Sequence, residues 1–399
     1  MTRLAIPTSP EEERSFVRSS PDCPSVVIIG GGIFGVSTAL HLVRQGSRVT
    51  LITEGVLGSG ASGRSLSWLN SARFRSAAYH RLRMVGIDRY RTLAAQHPQA
   101  PWLRFDGGLT WDADDESNAI DAAEAHERSI GYDVMRLAPE EVAAVAPGVD
   151  ARAVTRQGAL FNPGEGWVDL PALIGLLAAE LRMRGGEIIE GAGAASVLVR
   201  NGVACGAKAA DGRLLEADAC LIATGPWAPA MAADLGVEIP DASPIGLLVK
   251  TAPVETGLRA VLNTPRVAVR PTPDGALVLD SAWSEAEMRG NTDGSFEVRP
   301  DTIDGLLREA AAVLAGNPKL AFSSYGVGRK PIPGDGEPVF GKLDGVGSCF
   351  VAFSHSGATL GLIAGELLAD EIATGRRSPL LDDFRPDRFR AAARTLVDA

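Results

Sequence analysis

A glycine-rich turn directly after a short apolar strand constrains the fold of this chain more than any other feature. The run Ser25–Ile29 is apolar and rich in β-branched residues, which is typical of a parallel strand covered on both faces. The turn Gly30–Gly35, with the sequence GGGIFG, comes next. Apolar residues then recur at spacings of three and four over Ile33–Arg44, which predicts an amphipathic helix. With Val49–Ile52 as a second strand, the pattern predicts a βαβ unit.

The glycines of this turn have separate uses in binding a dinucleotide. Gly30 permits the tight bend, Gly32 lets the backbone approach a pyrophosphate, and Gly35 lets the helix pack against the strand. The helix begins at Ile33 and Phe34, where free N–H groups and the positive end of the helix dipole attract phosphates. The motif alone is weak in a chain with 45 glycines, but its place between a strand and a helix favours nucleotide binding over a structural turn.

The end of the second strand usually carries an acidic side chain that holds the adenosine ribose. Thr53 and Glu54 compete for this place. Glu54 lies one residue later than the usual register, and successive strand residues face opposite sides. The sequence therefore leaves both residues as candidates for the ribose contact.

The overall composition argues against several partners and sites. The formal net charge of -10 opposes attraction to nucleic acid or anionic lipid. The four cysteines lie far apart without CxxC or zinc-type spacing, so we expect reduced thiols and no metal site. The N-terminus is acidic where a secretory signal needs an apolar region, and no uninterrupted apolar run reaches about 18 residues. These features predict a cytoplasmic protein without a membrane span.

Local patterns predict further elements along the chain. The stretch 244–281 is rich in Val, Pro and Gly and predicts a mainly antiparallel sheet with a turn at 271–275. A helix over Val168–Met183 is expected to use Asp169 as its cap. The other predicted helices are Tyr79–Ala95, Thr302–Ala315 and Leu360–Ala373, and the other predicted strands are Glu187–Glu190, Ala219–Ala223 and Cys349–Phe353.

Seven separated segments have sequences typical of one enzyme family. They are Gly30–Gly35, Gly60–Ser65, Gly107–Leu109, Gly166–Asp169, Ala223–Trp227, Arg329–Gly341 and His355–Thr359. Together they resemble the D-amino acid oxidase superfamily of FAD enzymes, nearest the branch of glycine oxidase, sarcosine oxidase and D-amino acid dehydrogenase. The resemblance spans about Ser25 to Ala373.

The resemblance implies FAD as the cofactor and a set of residues around it. Binding is expected to be noncovalent, because no cysteine precedes Arg329 closely and no histidine lies in Gly63–Asn70, which are the family's usual linkage regions. The implied contacts along the pyrophosphate and ribityl chain are Ala61, Ser62, Arg64 and Ser65, and those beside the isoalloxazine are Trp68, Leu69 and Asn70. The implied second contact with the dinucleotide is made by Ala223, Thr224, Gly225 and Trp227. The implied neighbours of the adenine are Ala195 and Val197.

The substrate side of the flavin is implied by two segments near the C-terminus. The family's basic residue matches Arg329 or Lys330; an arginine would pair with a substrate carboxylate through two parallel hydrogen bonds, whereas a lysine would give only a point charge. His355 is expected to contact flavin or substrate, and Tyr325 is a candidate for the pocket wall. The helix start at Ser356, Gly357, Ala358 and Thr359 would place its N–H groups at the flavin pyrimidine edge. His80, close in sequence to Arg73 and Arg75, is a weaker candidate for the substrate side.

The predicted fold class is α/β, with a Rossmann-type FAD-binding domain interleaved with a substrate domain built on a mixed, largely antiparallel sheet. Residues 1–24 are polar and are expected to form a loose N-terminal arm. The FAD-binding domain is assigned to 25–78, 151–235 and 326–386, and the substrate domain to 79–150 and 236–325. Ligands are expected where the domains meet.

The function implied by the resemblance is oxidation of a small-molecule amine or amino acid. A hydride would pass from the carbon next to the amine to the flavin, giving an imine that hydrolyses, and oxygen or another acceptor would reoxidise the flavin. One alternative keeps the flavin and changes the substrate to a 2-hydroxy acid or polyol. An alternative of another class is a non-catalytic nucleotide-binding subunit.

Overall fold

The computed structural model describes residues 23–291 and 295–390, so nearly all of the predicted N-terminal arm lies outside the described residues. The strands are β1 Ser25–Ile29, β2 Arg48–Ile52, β3 Trp68–Leu69, β4 Leu103–Arg104, β5 Gly108–Thr110, β6 Met135–Leu137, β7 Ala159–Asn162, β8 Gly166–Val168, β9 Glu187–Ile189, β10 Ser196–Arg200, β11 Val203–Lys208, β12 Leu214–Glu216, β13 Ala219–Ile222, β14 Ile245–Thr251, β15 Val261–Asn263, β16 Ala268–Pro271, β17 Leu277–Asp280, β18 Arg289–Gly290, β19 Phe296–Glu297, β20 Phe322–Arg329, β21 Val339–Lys342 and β22 Cys349–Phe353. The α-helices are α1 Ile33–Arg44, α2 Ala77–Gln96, α3 Ile120–Ser129, α4 Pro139–Val145, α5 Leu170–Met183, α6 Ala228–Ala233, α7 Ala282–Ala286, α8 Pro300–Val313 and α9 Gly357–Thr374.

The first sheet carries the nucleotide-type turn. Its six strands lie in the order β21-β22-β13-β1-β2-β9 and pair in parallel, except that β21 runs antiparallel to β22. Val26 and Ile28 of β1 face a core shared with α1, α5 and α9, while Val27 and Ile29 face a second core shared with α6 and β11. Burial on both faces explains the apolar run of β1, and the predicted βαβ unit is confirmed.

The second large sheet has eight strands in the order β20-β14-β17-β16-β15-β5-β7-β6. All its pairs are antiparallel apart from β15 with β5, so the predicted mixed, largely antiparallel sheet is confirmed. Its apolar residues pack with α3, α4 and α8 in a separate core. The strand β7 lies in this sheet, although the predicted boundary groups residues 151–235 with the FAD-binding domain. The division into domains stays a prediction.

Four helix starts differ from their predicted positions, and two of these helices, α2 and α8, each begin two residues earlier, at Ala77 and Pro300. Val168 pairs with Leu103 in a small sheet, so α5 begins at Leu170, and the side chain of Asp169 accepts a hydrogen bond from the Ala172 N–H at 3.1 Å as its predicted cap. Helix α9 begins at Gly357, three residues earlier than its apolar spacing predicts. The extra turn consists of small residues, which carry no periodic apolar signal.

Helices α1 and α9 begin at the same edge of the first sheet, because they follow β1 and β22, which run parallel with β13 between them. They pack closely: a Cβ on Gly361 would come within 2.3 Å of Ile33 Cγ1, and one on Gly365 within 2.1 Å of Ser37 Oγ. This contact fixes both N-termini side by side. Among the described helices, none is both long and apolar enough to cross a membrane.

Candidate active site

One long cleft of about 1520 Å³ runs from the glycine-rich turn to the edge of the eight-stranded sheet. Most residues singled out from the sequence lie in its wall. They are Gly30, Gly32, Ile33, Phe34, Thr53, Glu54, Ala61, Ser62, Arg64, Ser65, Trp68, Asn70, Ala195, Ala223, Thr224, Gly225, Trp227, Arg329, Lys330, His355, Ser356, Gly357, Ala358 and Thr359.

Four singled-out residues do not line this cleft. Gly35 lies within α1, where it allows the close packing expected of it, and Leu69 is completely buried in the core. Val197 packs against the core that contains β11. The side chain of Tyr325 is 51% exposed on β20, beside Phe322. Leu69 lies between the wall residues Trp68 and Asn70, and strand alternation turns its side chain to the other face.

The nucleotide end of the cleft is shaped by the turn before α1. Gly30 has a φ of +123°, and a Cβ there would lie 2.2 Å from the carbonyl oxygen of Ala223. A Cβ on Gly32, in contrast, would meet only Ser62 Oγ, at 3.2 Å. Backbone therefore borders open cleft at Gly32. The Ile33 N–H donates to Ser62 Oγ at 3.1 Å, and no side chain caps the helix from Gly32 itself.

The two candidates for the ribose contact both lie in the cleft wall. Thr53 is buried, and its N–H donates to the carbonyl of Ile189 at 2.9 Å. Glu54 is exposed, so its carboxylate is free to reach a ligand hydroxyl. The choice between them stays a prediction.

Arg64 links the glycine- and serine-rich loop to the second large sheet. Its guanidinium donates to the carbonyl of Val327 at 2.8 Å and to the carbonyl of Ser59 at 2.7 Å. A Cβ on Gly328 would lie 2.4 Å from Arg64 NH1, so the glycine makes room for this side chain. Arg64 thus holds the two sides of the cleft together in addition to lining it.

Helix α9 opens its N-terminus to the cleft. Ser356 gives no side-chain cap, because its hydroxyl is taken by Tyr79 and by Arg83. The hydroxyl of Thr359 donates to the carbonyl of Trp68 at 3.2 Å. The first N–H groups of this helix, and those of α1 after Ile33, are therefore available to anionic parts of a ligand.

The two basic residues expected from the resemblance both have acidic partners. Arg329 donates to Asp241 at 2.9 Å, and its guanidinium lies 5.9 Å from the ring centre of Trp227. Lys330 is paired with Asp280 at 3.3 Å and with Glu285. Burial opposes the charge on Lys330, but the two carboxylates outweigh it and raise its pKa. Each basic group is thus already neutralised by the protein.

His355 is an uncharged residue at neutral pH. Burial lowers its pKa to about 4, and the positive charges of Lys330, Arg83 and Arg75 contribute to the same shift. All three cations are therefore near enough to act on one imidazole in the cleft wall. The environment of His355 disfavours any further positive charge.

Arg83 is a wall residue that the sequence analysis missed. It is only 3% exposed, and it donates to the backbone carbonyl of Asn70 at 2.7 Å, to the side-chain oxygen of Asn70 at 2.8 Å and to the hydroxyls of Tyr79 and Ser356. Tyr79 and Arg83 lie four residues apart on α2 and so share one face of the helix. That spacing was visible in the sequence, but nothing local indicated that this face meets the cleft.

These features fit FAD. A long cleft offers two uncapped helix N-termini for phosphates or a flavin edge, a bare backbone approach at Gly32, and a wall of small residues from Ala61 to Ser65. The two ends of the cleft differ, because the cations of the far end surround His355. A dinucleotide with a redox-active group at one end matches this asymmetry.

Relatives of known name support the same reading. The chain is 28% identical to a glycine oxidase of Pseudomonas aeruginosa over 371 residues, which are 90% of this chain and 96% of the relative. It is 24% identical to a D-amino acid dehydrogenase of Methylobacterium, covering 92% of this chain and 100% of the relative. In fold it is similar to an L-amino acid deaminase of Proteus myxofaciens solved with anthranilate, with a TM-score of 0.78, 18% identity and coverage of 93% and 95%.

The DAO family, described as FAD dependent oxidoreductase, matches residues 25–371. This match contains the glycine-rich turn, the loop with Arg64 and the start of α9, and it confirms the resemblance stated from the sequence. FAD is the cofactor, held noncovalently. The chain therefore belongs to the DAO family of FAD-dependent oxidoreductases.

Proposed function

We propose that this enzyme oxidises an amine or amino acid at the carbon next to the nitrogen. The C–H bond breaks with its electron pair, which leaves as hydride, and a proton leaves the nitrogen to give an imine. Water then converts the imine to a carbonyl compound and a free amine or ammonia. When bound, FAD supplies the acceptor for the hydride. The names of the glycine oxidase and D-amino acid dehydrogenase relatives support a substrate of this class.

The observation that carries the proposal is the cleft that fits FAD, with His355, Lys330, Arg83 and Arg75 in the wall that also holds the uncapped start of α9. Hydride departure from an amine is assisted by the nitrogen lone pair, which an ammonium ion lacks. Desolvation is the main cause that lowers the pKa of His355, and the charges of Lys330, Arg83 and Arg75 add to it. The same surroundings would lower the pKa of an ammonium group bound beside it. The cleft therefore favours the neutral amine, which is the reactive form.

The N-terminus of α9 supports the same chemistry. Its uncapped N–H groups at Gly357 and Ala358 present partial positive charge to the cleft. Positive charge fixed before the reaction stabilises negative charge that develops on the electron acceptor. The chain's task is thus to orient the C–H bond and to supply this electrostatic environment.

The test is an absorbance spectrum of the purified protein followed by anaerobic titration. We expect a flavin spectrum that is bleached by at least one member of a panel of glycine, D-alanine, L-proline and N-methylglycine. Bleaching by 2-hydroxy acids or glycerol but by none of the amines would replace the proposal with the alcohol-oxidising alternative. A colourless protein that binds NAD would contradict flavin chemistry altogether. Readmission of oxygen, compared with addition of a dye, then identifies the class of electron acceptor.

A further inference from the structure

Three arginines in the cleft wall, Arg64, Arg75 and Arg83, have no acidic partner among the described residues, and Arg64 is held by two backbone carbonyls. Arg83 is buried, and every hydrogen bond it makes goes to a neutral oxygen of Asn70, Tyr79 or Ser356. Arg75 lies in the loop just before α2 and donates only to the carbonyl of Phe74, at 3.3 Å. Its Nε is buried without a hydrogen-bond partner. Buried charges are normally paired, so this end of the cleft carries uncompensated positive charge.

Arg75 and Arg83 also repel each other. Burial lowers the pKa of Arg75, and the charge of Arg83 lowers it further. The carboxyl group of Glu165 is near enough to act in the opposite direction, but burial raises the pKa of Glu165 to about 8, so it is largely uncharged at neutral pH. An arrangement of two like charges in a partly desolvated wall is costly unless a ligand brings negative charge.

Arg329 and Lys330, which the family resemblance implies as the basic residues for such a ligand, attract an anion less strongly than an unpaired arginine does. Arg329 is paired with Asp241, and Lys330 with Asp280 and Glu285. A substrate anion that approached either would have to compete with protein carboxylates. Arg75 has no such competitor, and its guanidinium makes one hydrogen bond within the protein, to the carbonyl of Phe74, whereas Arg64 and Arg83 make several.

We infer that Arg75 is the residue that binds the substrate carboxylate, with Arg83 behind it adding charge and fixing Asn70 and Ser356. This inference rests on the proposed amine oxidation and narrows its substrate to amino acids. Arg75 lines the cleft, and its two terminal nitrogens, one of which donates to Phe74, form a fork that matches the two oxygens of a carboxylate. Binding would offset the charge that the two arginines share.

The experiment measures the binding of carboxylates and matched amides to the FAD-loaded protein through changes in flavin absorbance. The probes are benzoate with benzamide and acetate with acetamide. We expect the wild type to bind each carboxylate at least about tenfold more tightly than its amide. Arg75→Gln is expected to weaken carboxylate binding about 10- to 100-fold while amide binding changes less than about twofold. Arg75→Lys should fall between, because it keeps the charge but loses the fork.

Two variants serve as controls. Arg81→Gln removes an exposed arginine from α2, the helix that follows Arg75, and should leave both titrations unchanged. Arg329→Gln should change carboxylate binding by less than about twofold, because that guanidinium already has a partner. Flavin content and the melting temperature are measured for each protein, and if Arg75→Gln fails to hold FAD, the wild-type, Arg75→Lys and Arg329→Gln titrations decide.

Three outcomes would each overturn the inference. The wild type could show no preference for carboxylates over amides, or Arg75→Gln and Arg75→Lys could bind carboxylates as tightly as the wild type. The third outcome is a loss of carboxylate binding in Arg329→Gln. The proposed function fails separately. If no amine bleaches the flavin but the carboxylate results hold, only the amine chemistry is wrong. If amines bleach the flavin and Arg75→Gln has the wild-type KM for amino acids, only the role of Arg75 is wrong.

Discussion

At the glycines of the first turn, different neighbours limit the space for a Cβ atom, although the motif specifies glycine at each position. A Cβ on Gly35 would lie 2.0 Å from the carbonyl oxygen of Gly30, so the protein's own backbone excludes it. A Cβ on Gly32 would touch only the end of the Ser62 side chain, at 3.2 Å. Gly35 therefore serves folding, and Gly32 is expected to serve the ligand.

We therefore expect Gly32→Ala to weaken FAD binding about tenfold or more while leaving the stability of the apoprotein nearly unchanged. The added methyl group would occupy the place where backbone approaches the pyrophosphate. FAD affinity is measured by fluorescence titration of apoprotein, and stability by urea unfolding without FAD. The matched variant Gly35→Ala should instead lower the free energy of unfolding of the apoprotein by about 1–3 kcal/mol. Equal loss of apoprotein stability in both variants would contradict this division of roles.

Among the elements, α9 is anchored by the segment that follows it in the chain and contains Phe384 and Arg385. Arg385 and Glu371 form an ion pair in which both side chains are about 5% exposed. Phe384, which precedes the arginine, is completely buried and lies 5.9 Å from the Tyr79 ring. The segment thus joins α9 to α2, whose residues Tyr79 and Arg83 contact the start of α9.

Breaking this ion pair should be costly, because it leaves a buried guanidinium without its counter-charge. Glu371→Gln is expected to lower the free energy of unfolding by about 3–5 kcal/mol, as measured by urea unfolding at saturating FAD. The double variant Glu371→Leu with Arg385→Met removes both charges and should recover most of the loss. Glu216→Gln, which breaks the exposed pair with Arg200, should have no measurable effect. A Glu371→Gln protein as stable as the wild type would show that the pair does not anchor α9.

The elements of the first sheet were predictable because their signals are local. Strand β1 reads as a buried strand from five residues, and the glycines that follow it need no distant partner to be interpreted. The place of β7 was not predictable in the same way. Its residues Ala159–Asn162 pair with β5 and β6, which come from earlier in the chain, so its sheet is decided by long-range register.

The same limit applies to the candidate site. The sequence predicted the small residues around the cofactor, because a backbone approach needs them wherever they occur. It did not reveal that Arg329 and Lys330 have carboxylate partners, since Asp241 and Asp280 lie far from them in the chain. Nor did it distinguish Arg75 from its neighbours Arg73, which is paired with Asp112, and Arg81, which is exposed. Ionic partners depend on how the elements pack.

For the whole molecule, Glu165 and His355 give stability opposite dependences on pH. The pKa of His355 is lowered to about 4 from 6.5, so its contribution is present above pH 6.5 and is lost as the pH falls towards 4. The pKa of Glu165 is raised to about 8 from 4.5, so its contribution is present below pH 4.5 and is lost as the pH rises towards 8. Between pH 6.5 and 8 the folded protein retains a proton on Glu165 that the unfolded chain has released, while the opposite contribution of His355 fades above about pH 7.5.

Replacing Glu165 should therefore flatten the stability profile on the alkaline side. In the wild type this group makes the free energy of unfolding fall by up to roughly 1.4 kcal/mol per pH unit from pH 6.5, because the unfolded chain releases a proton that the folded one retains. Glu165→Gln is permanently neutral and keeps an acceptor for the hydroxyl of Tyr132, so it should lose this slope. Urea unfolding at saturating FAD and at half-unit steps from pH 6.5 to 8 measures the difference. Glu140→Gln, an exposed control, should keep the wild-type slope. Parallel profiles for the wild type and Glu165→Gln would mean that Glu165 is ionised in the folded protein, and the positive charge around Arg75 would then have a counter-ion after all.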